Sequence, residues 1–224
     1  MGIYAFIFHA FTYVNTIILI ISCIISIIVL RNNRSKVLKT VAYYLLICGG
    51  SDLITGLIVF LLKRGVIEGS SMILMIIFRL IELLIIGYLI NNYWLKSKLV
   101  WLLMIFSSVY LLYDLFTFQS KGILNYEARA QTTATILLVG LIVANLLKHL
   151  KKGKEFSVNN QMLCMIFLAY FSIHLVYTVI QNFIINQSFT NKSFVLFYSS
   201  YVLLHIVYYA ALGFILFRNL KRHN

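Results

Sequence analysis

Residues 70–98 read SSMILMIIFRLIELLIIGYLINNYWLKSK. Between Ser70 and Tyr93 only Arg79 and Glu82 carry charge, and the run closes on Trp94, Lys96 and Lys98. A helix rises about 1.5 Å per residue, so a run of this length covers the roughly 30 Å hydrocarbon core of a bilayer. The same alternation of apolar run and basic cluster recurs along the chain. Six further runs extend from Ile3 to Leu30, Val37 to Leu62, Leu99 to Phe118, Ala128 to Leu147, Gln161 to Ile185 and Phe194 to Phe217. The sequence therefore predicts an all-α polytopic membrane protein with seven transmembrane helices and the lipid bilayer as its surroundings.

The 19 Lys and Arg residues predict its orientation, because basic residues in short loops stay on the cytoplasmic side. Thirteen follow the first, third, fifth and seventh runs: Arg31, Arg34, Lys36, Lys39, Lys96, Lys98, Lys148, Lys151, Lys152, Lys154, Arg218, Lys221 and Arg222. The opposite turns hold five, Lys63, Arg64, Lys121, Arg129 and Lys192, and Arg79 lies inside the third run. The N-terminus is expected outside and the C-terminus in the cytoplasm. A net charge of +13 raises the question of nucleic acid. Here it is divided among four short turns, which suits topology and anionic headgroups, so no nucleic-acid partner is expected.

The loops are too short for a soluble domain, so residues 1–224 are expected to form a single membrane domain. The first run is longer than a secretory h-region and lacks a basic n-region, which predicts a retained helix. Phe6 stands where a myristoylation signal needs Ser or Thr. Cys23, Cys48 and Cys164 are expected as packing residues within helices. Two sequons, at Asn186 and Asn191, fall in the last outer turn. The richness in Ile, Asn and Lys suits an AT-rich bacterial genome, and a bacterial inner membrane is the expected location.

Proline is absent, which predicts mostly straight helices and removes support from a carrier built on broken ones. Gly49, Gly50, Gly56, Gly140 and Gly213 are expected at close helix contacts. Trp94 and Trp101 flank the inner turn after the third run as interfacial anchors.

Polar residues recur at helical spacing and mark inward-facing stripes, since charge facing lipid costs several kcal/mol. The sixth run carries Tyr170, His174, Tyr177 and Gln181; the seventh carries Tyr198, Tyr201, His205 and Tyr208. Asp52 in the second, Arg79 and Glu82 in the third and Asp114 in the fourth complete the set. Asp52, Arg79, Glu82, His174 and His205 are expected in one mid-depth layer. Asp114, Tyr126, Tyr177, Gln181 and Tyr198 are expected above it, as a vestibule open to the outside. Arg79 and Glu82, three residues apart, are expected to contact each other or Asp52.

The expected function is that of a sensor or receptor-like binding protein. Its polar pocket would draw on Asp52, Arg79, Glu82, Asp114, Tyr170, His174, Tyr177, Gln181, Tyr198, Tyr201 and His205, and it would signal through a separate cytoplasmic or membrane partner. One alternative is an intramembrane metal-dependent lipid hydrolase, whose metal would fall to His174, His205, Asp52 and Glu82. No His-x-x-x-His pair supports it, so no catalytic residue, metal or cofactor is expected, and an enzyme is not the favoured class. The other alternative is a small-solute or proton channel or transporter, with the stripes as its path. In size, helix number and orientation the chain resembles the microbial rhodopsins, whose Arg-x-x-acid spacing Arg79 and Glu82 repeat. Tyr201 and His205 occupy the spacing of that family's carboxylate and retinal lysine. The seventh run has no lysine, so a retinal Schiff base is not expected.

Overall fold

The computed structural model describes residues 3–33, 35–65, 72–121, 128–152, 157–186 and 191–220. They form seven α-helices in chain order: α1 (Ile3–Asn32), α2 (Lys36–Lys63), α3 (Met72–Leu89), α4 (Lys98–Lys121), α5 (Arg129–Lys152), α6 (Val158–Asn186) and α7 (Asn191–Leu220). A π-helical segment, Ile90–Leu95, continues α3. All seven are long and apolar enough to cross a membrane, and no strand occurs among the described residues. Several helices run past the apolar edges seen in the sequence. Polar residues such as Asn159 and Asn160 at the start of α6 keep helical geometry beyond the point where hydrophobicity ends.

The chain divides into two compact units. The first holds Met1–Gly49 and Gln187–Asn224, and the second holds Gly50–Asn186. In the first unit α1 packs along α7. Gly213 permits this: a Cβ placed there would lie 2.7 Å from Ser22 Oγ and 3.7 Å from Ser22 Cα on α1. Ser22 Oγ donates to the Tyr209 carbonyl at 3.2 Å, so a hydroxyl and a small residue together let two backbones approach. The beginning of α2 joins them through Cys23 Sγ, 3.4 Å from the Leu45 carbonyl oxygen, and Gly49 leaves room for that sulfur. Gly49 and Gly213 thus serve close contacts, whereas Gly50, Gly56 and Gly140 have nothing within 4 Å of an added carbon.

In the second unit α3 packs against α4 and α5, and α5 against α4 and α6. The exit from α3 departs from an uninterrupted α-helix. Lys96 N–H donates to Asn91 O across five residues at 2.6 Å, and Lys96 itself turns left-handed at φ 53°. A lysine in that region costs about 1–2 kcal/mol relative to ordinary helical geometry. Two contacts offset it. Asn91 Oδ1 accepts from Ser97 N–H at 2.8 Å, and the Lys148 ammonium of α5 donates to the Trp94 and Leu95 carbonyls at 3.0 and 2.6 Å. The last carbonyls of a helix lack intrahelical partners and carry partial negative charge, so an ammonium suits them.

Replacing Gly213 by Val is expected to lower the thermal unfolding midpoint of the detergent-solubilised protein, at a cost of about 1–3 kcal/mol. Gly140→Ala is expected not to lower it, because the added methyl meets nothing. Unchanged midpoints in both variants would contradict the close approach of α1 and α7.

Candidate functional site

Glu82 lies within two residues of the midpoint of the continuous run Met72 to Leu95, and His174 within two residues of the midpoint of α6. Arg79 stands one turn before Glu82. At i and i+3 the two side chains share a face of α3, and they form an ion pair. The second guanidinium arm of Arg79 reaches α6 and meets His174 Nε2. All three are withdrawn from solvent, with 6% of Arg79, 1% of Glu82 and 3% of His174 exposed. α5 packs against both α3 and α6, which places the two helices around a common neighbour.

The partners determine where the histidine proton sits. A guanidinium can only donate, so Nε2 accepts from Arg79. A neutral imidazole that accepts at Nε2 carries its hydrogen on Nδ1. Nδ1 lies 3.1 Å from Thr178 Oγ1, one turn along α6, and the Thr178 hydroxyl in turn donates to the His174 carbonyl at 3.0 Å. Donation therefore runs in one direction, from Arg79 through His174 and Thr178 to the backbone. Tyr170 lies one turn back, its ring centroid 5.6 Å from that of His174. The set is neutral overall, with Arg79 balanced by Glu82 and the ring uncharged.

Burying two ions costs several kcal/mol each, and their mutual attraction is of the same order. The pair alone would come close to break-even. The hydrogen bond from Arg79 to the ring supplies a further charge-assisted contact of about 1.5–3 kcal/mol. That contact is also the link between α3 and α6.

The expected pocket residues fall into separate groups. Arg79, Glu82, Tyr170 and His174 come together in the second unit. Asp52, also in that unit, is half-buried on α2 and makes no hydrogen bond or ion pair with a described residue, so the pairing of Arg79 is with Glu82. Asp114 is half-buried on α4, where its carbonyl accepts from Thr117 at 3.2 Å, and Tyr177 is half-buried on α6. Tyr126 and the side chain of Gln181 lie outside the described residues.

Tyr198, Tyr201 and His205 belong to α7 in the first unit. There His205 Nδ1 lies 2.9 Å from the Tyr201 carbonyl oxygen, and its ring packs edge-on to Tyr201 with centroids 4.4 Å apart. Tyr208, one turn nearer the C-terminus, donates its hydroxyl to that of Tyr44 at 3.2 Å, and both are buried. Tyr198 packs against its neighbour Phe197.

Thr178 has one signal in the sequence, its position four residues after His174. Lys148 counts as a topology charge, and nothing in its local sequence marks it as a helix cap. Among the described residues no three His, Cys, Asp or Glu side chains come together as a metal-binding group. No family model matches the chain, and no curated protein or solved structure shows a significant match to it.

Single replacement in the pair leaves its partner stranded, at a cost of about 3–5 kcal/mol. Glu82→Gln is expected to cost more than Arg79→Met, because a lone carboxylate can take up a proton and a lone guanidinium cannot lose one. The double variant is expected to cost less than the sum of the singles in a double-mutant cycle of unfolding. Additivity within about 0.5 kcal/mol would contradict the coupling.

Proposed function

We propose that the protein is an integral membrane sensor, a receptor-like binding protein whose polar residues form a site open to the outside and whose output passes to a separate partner. The observation that carries this reading is the buried chain of Arg79, Glu82, His174 and Thr178. An intramembrane set of ionisable groups is expensive to keep, which favours a functional role over a packing one. In this set one histidine nitrogen joins two helices.

A ligand or proton that takes His174 Nε2, or engages Glu82, deprives Arg79 of an acceptor. Arg79 keeps its charge and must find another acceptor, so the contact between α3 and α6 breaks or reforms. Signalling through a partner is supported by the short connections, none of which has room for a folded domain between consecutive described helices. The thirteen-to-five distribution of basic residues supports an outside N-terminus and a cytoplasmic C-terminus, and the richness in Ile, Asn and Lys favours a bacterial inner membrane.

The proton is the simplest probe, because histidine ordinarily titrates between about pH 5 and 8. Lowering the pH across that interval is expected to change the intrinsic fluorescence of the protein, with Trp94 at the end of α3 and Trp101 in α4 as reporters. His174→Ala is expected to abolish the change, and His205→Ala to leave it. A pH response unaltered in His174→Ala would defeat the proposal. So would stoichiometric zinc that is lost in that variant, which would favour a hydrolase instead.

A further inference from the structure

A second feature of the α3 to α6 unit lies away from the buried chain, at the end where α3 gives way to α4. The Lys148 ammonium binds the Trp94 and Leu95 carbonyls, which ties the last turns of α5 to this exit. Lys151 follows one turn further along α5, and Lys96 and Lys98 occupy the exit itself. All three are exposed. Three ammonium groups are thereby gathered at one end of three helices. The acidic residue nearest in sequence, Glu155, lies outside the described residues.

Directly below this charge is an aromatic step. Trp101 is one turn into α4 from Lys98, on the same helix face. Its ring packs edge-on to Tyr88 of α3 with centroids 6.3 Å apart, and Tyr88 packs on Tyr93 at 6.1 Å. Trp101 and Tyr88 are each 39% exposed, so the step is open at the side of the helices. Amphipathic rings of this kind settle at the level where hydrocarbon meets headgroups. The lysine stems are apolar and reach past that level to place their ammonium groups among the headgroups.

We infer that the exit between α3 and α4, together with the end of α5, binds the headgroup of an anionic phospholipid. The phosphate and its anionic substituent lie among Lys96, Lys98 and Lys151, and the upper acyl chain lies against Trp101 and Tyr88. A free inorganic anion has use for the lysines alone. The open aromatic step, continuous with the charge, selects an occupant with both a negative head and an apolar tail. Lys148 is spent on the helix carbonyls and serves to position the others.

The test reconstitutes the full chain in phosphatidylcholine vesicles containing a fixed fraction of lipid brominated on its acyl chains, either phosphatidylglycerol or phosphatidylcholine. Trp94 is buried, so quenching reports chiefly on Trp101. The expected result is a roughly threefold to fivefold preference for phosphatidylglycerol, the scale of one favourable lysine contact with an anionic lipid. The preference is expected to fall to about one in Lys96→Gln/Lys98→Gln/Lys151→Gln and to return when the same three positions are Arg. It is expected to survive Arg31→Gln/Lys36→Gln/Lys39→Gln, which removes as many charges from the turn between α1 and α2. Equal quenching by the two lipids in the unaltered protein would overturn the inference. Retention of the preference in the first triple variant, its loss in the control triple, or failure of the Arg variant to restore it would do the same. Abolition by inorganic phosphate at constant ionic strength would assign the lysines to a free anion and equally overturn it.

Discussion

Arginine is the one common side chain that cannot escape burial by losing its charge, and Arg79 sits within a helix that is otherwise apolar. Its guanidinium needs acceptors, and hydrocarbon offers none. Glu82 answers part of that need from one turn along the same helix, and His174 answers another part from α6. The second answer has the wider consequence, since it binds two helices that are far apart in sequence. It also requires His174 to be neutral with its hydrogen on Nδ1, a requirement met by Thr178. One permanent charge thus dictates a carboxylate, a ring tautomer and a hydroxyl.

The middle of α3 and its exit have different characters for a related reason. In the middle of the helix, charge is met by side chains. At its exit, backbone carbonyls without helical partners are met by the Lys148 ammonium, and the Ser97 N–H is met by the Asn91 side-chain oxygen. Both solutions satisfy polar groups that the helix itself leaves without partners. Both also draw on a neighbouring helix, α6 in the first case and α5 in the second for the ammonium. Lys96, Lys98 and Lys151 are exposed around the exit, whereas Arg79, Glu82 and His174 are buried.

Much of the architecture is legible in the sequence because its signal is one of length. A run such as Ser70 to Tyr93 is too long and too apolar for anything but a span, and the structure places a helix on each of the seven runs. The pairing of Arg79 with Glu82 is legible for the same reason, since both sit on one helix and their spacing fixes their common face. What joins different helices is not. Nothing local to His174 says that Arg79 stands opposite it, or local to Tyr208 that Tyr44 of α2 meets it. The π-helical exit after Leu89 is hidden as well. Residues 90–95 contain no Gly or Pro, and the distortion arises from capping partners that lie within Asn91 and on α5. The signal for Thr178 is not a distinct one either, because threonines in membrane helices so often bond to their own backbone, as Thr132 and Thr135 do here.

The central claim is that His174 is a neutral acceptor for Arg79, and ring-nitrogen NMR on the ¹⁵N-histidine-labelled protein in lipid tests it most directly. With His174→Gln used to assign the resonances, the account predicts near-neutral spectra in which Nδ1 of His174 is protonated and Nε2 bears no hydrogen, with Nε2 shifting when Arg79 is replaced by Met. An Nε2 that carries the proton, or a ring protonated at both nitrogens, would contradict it.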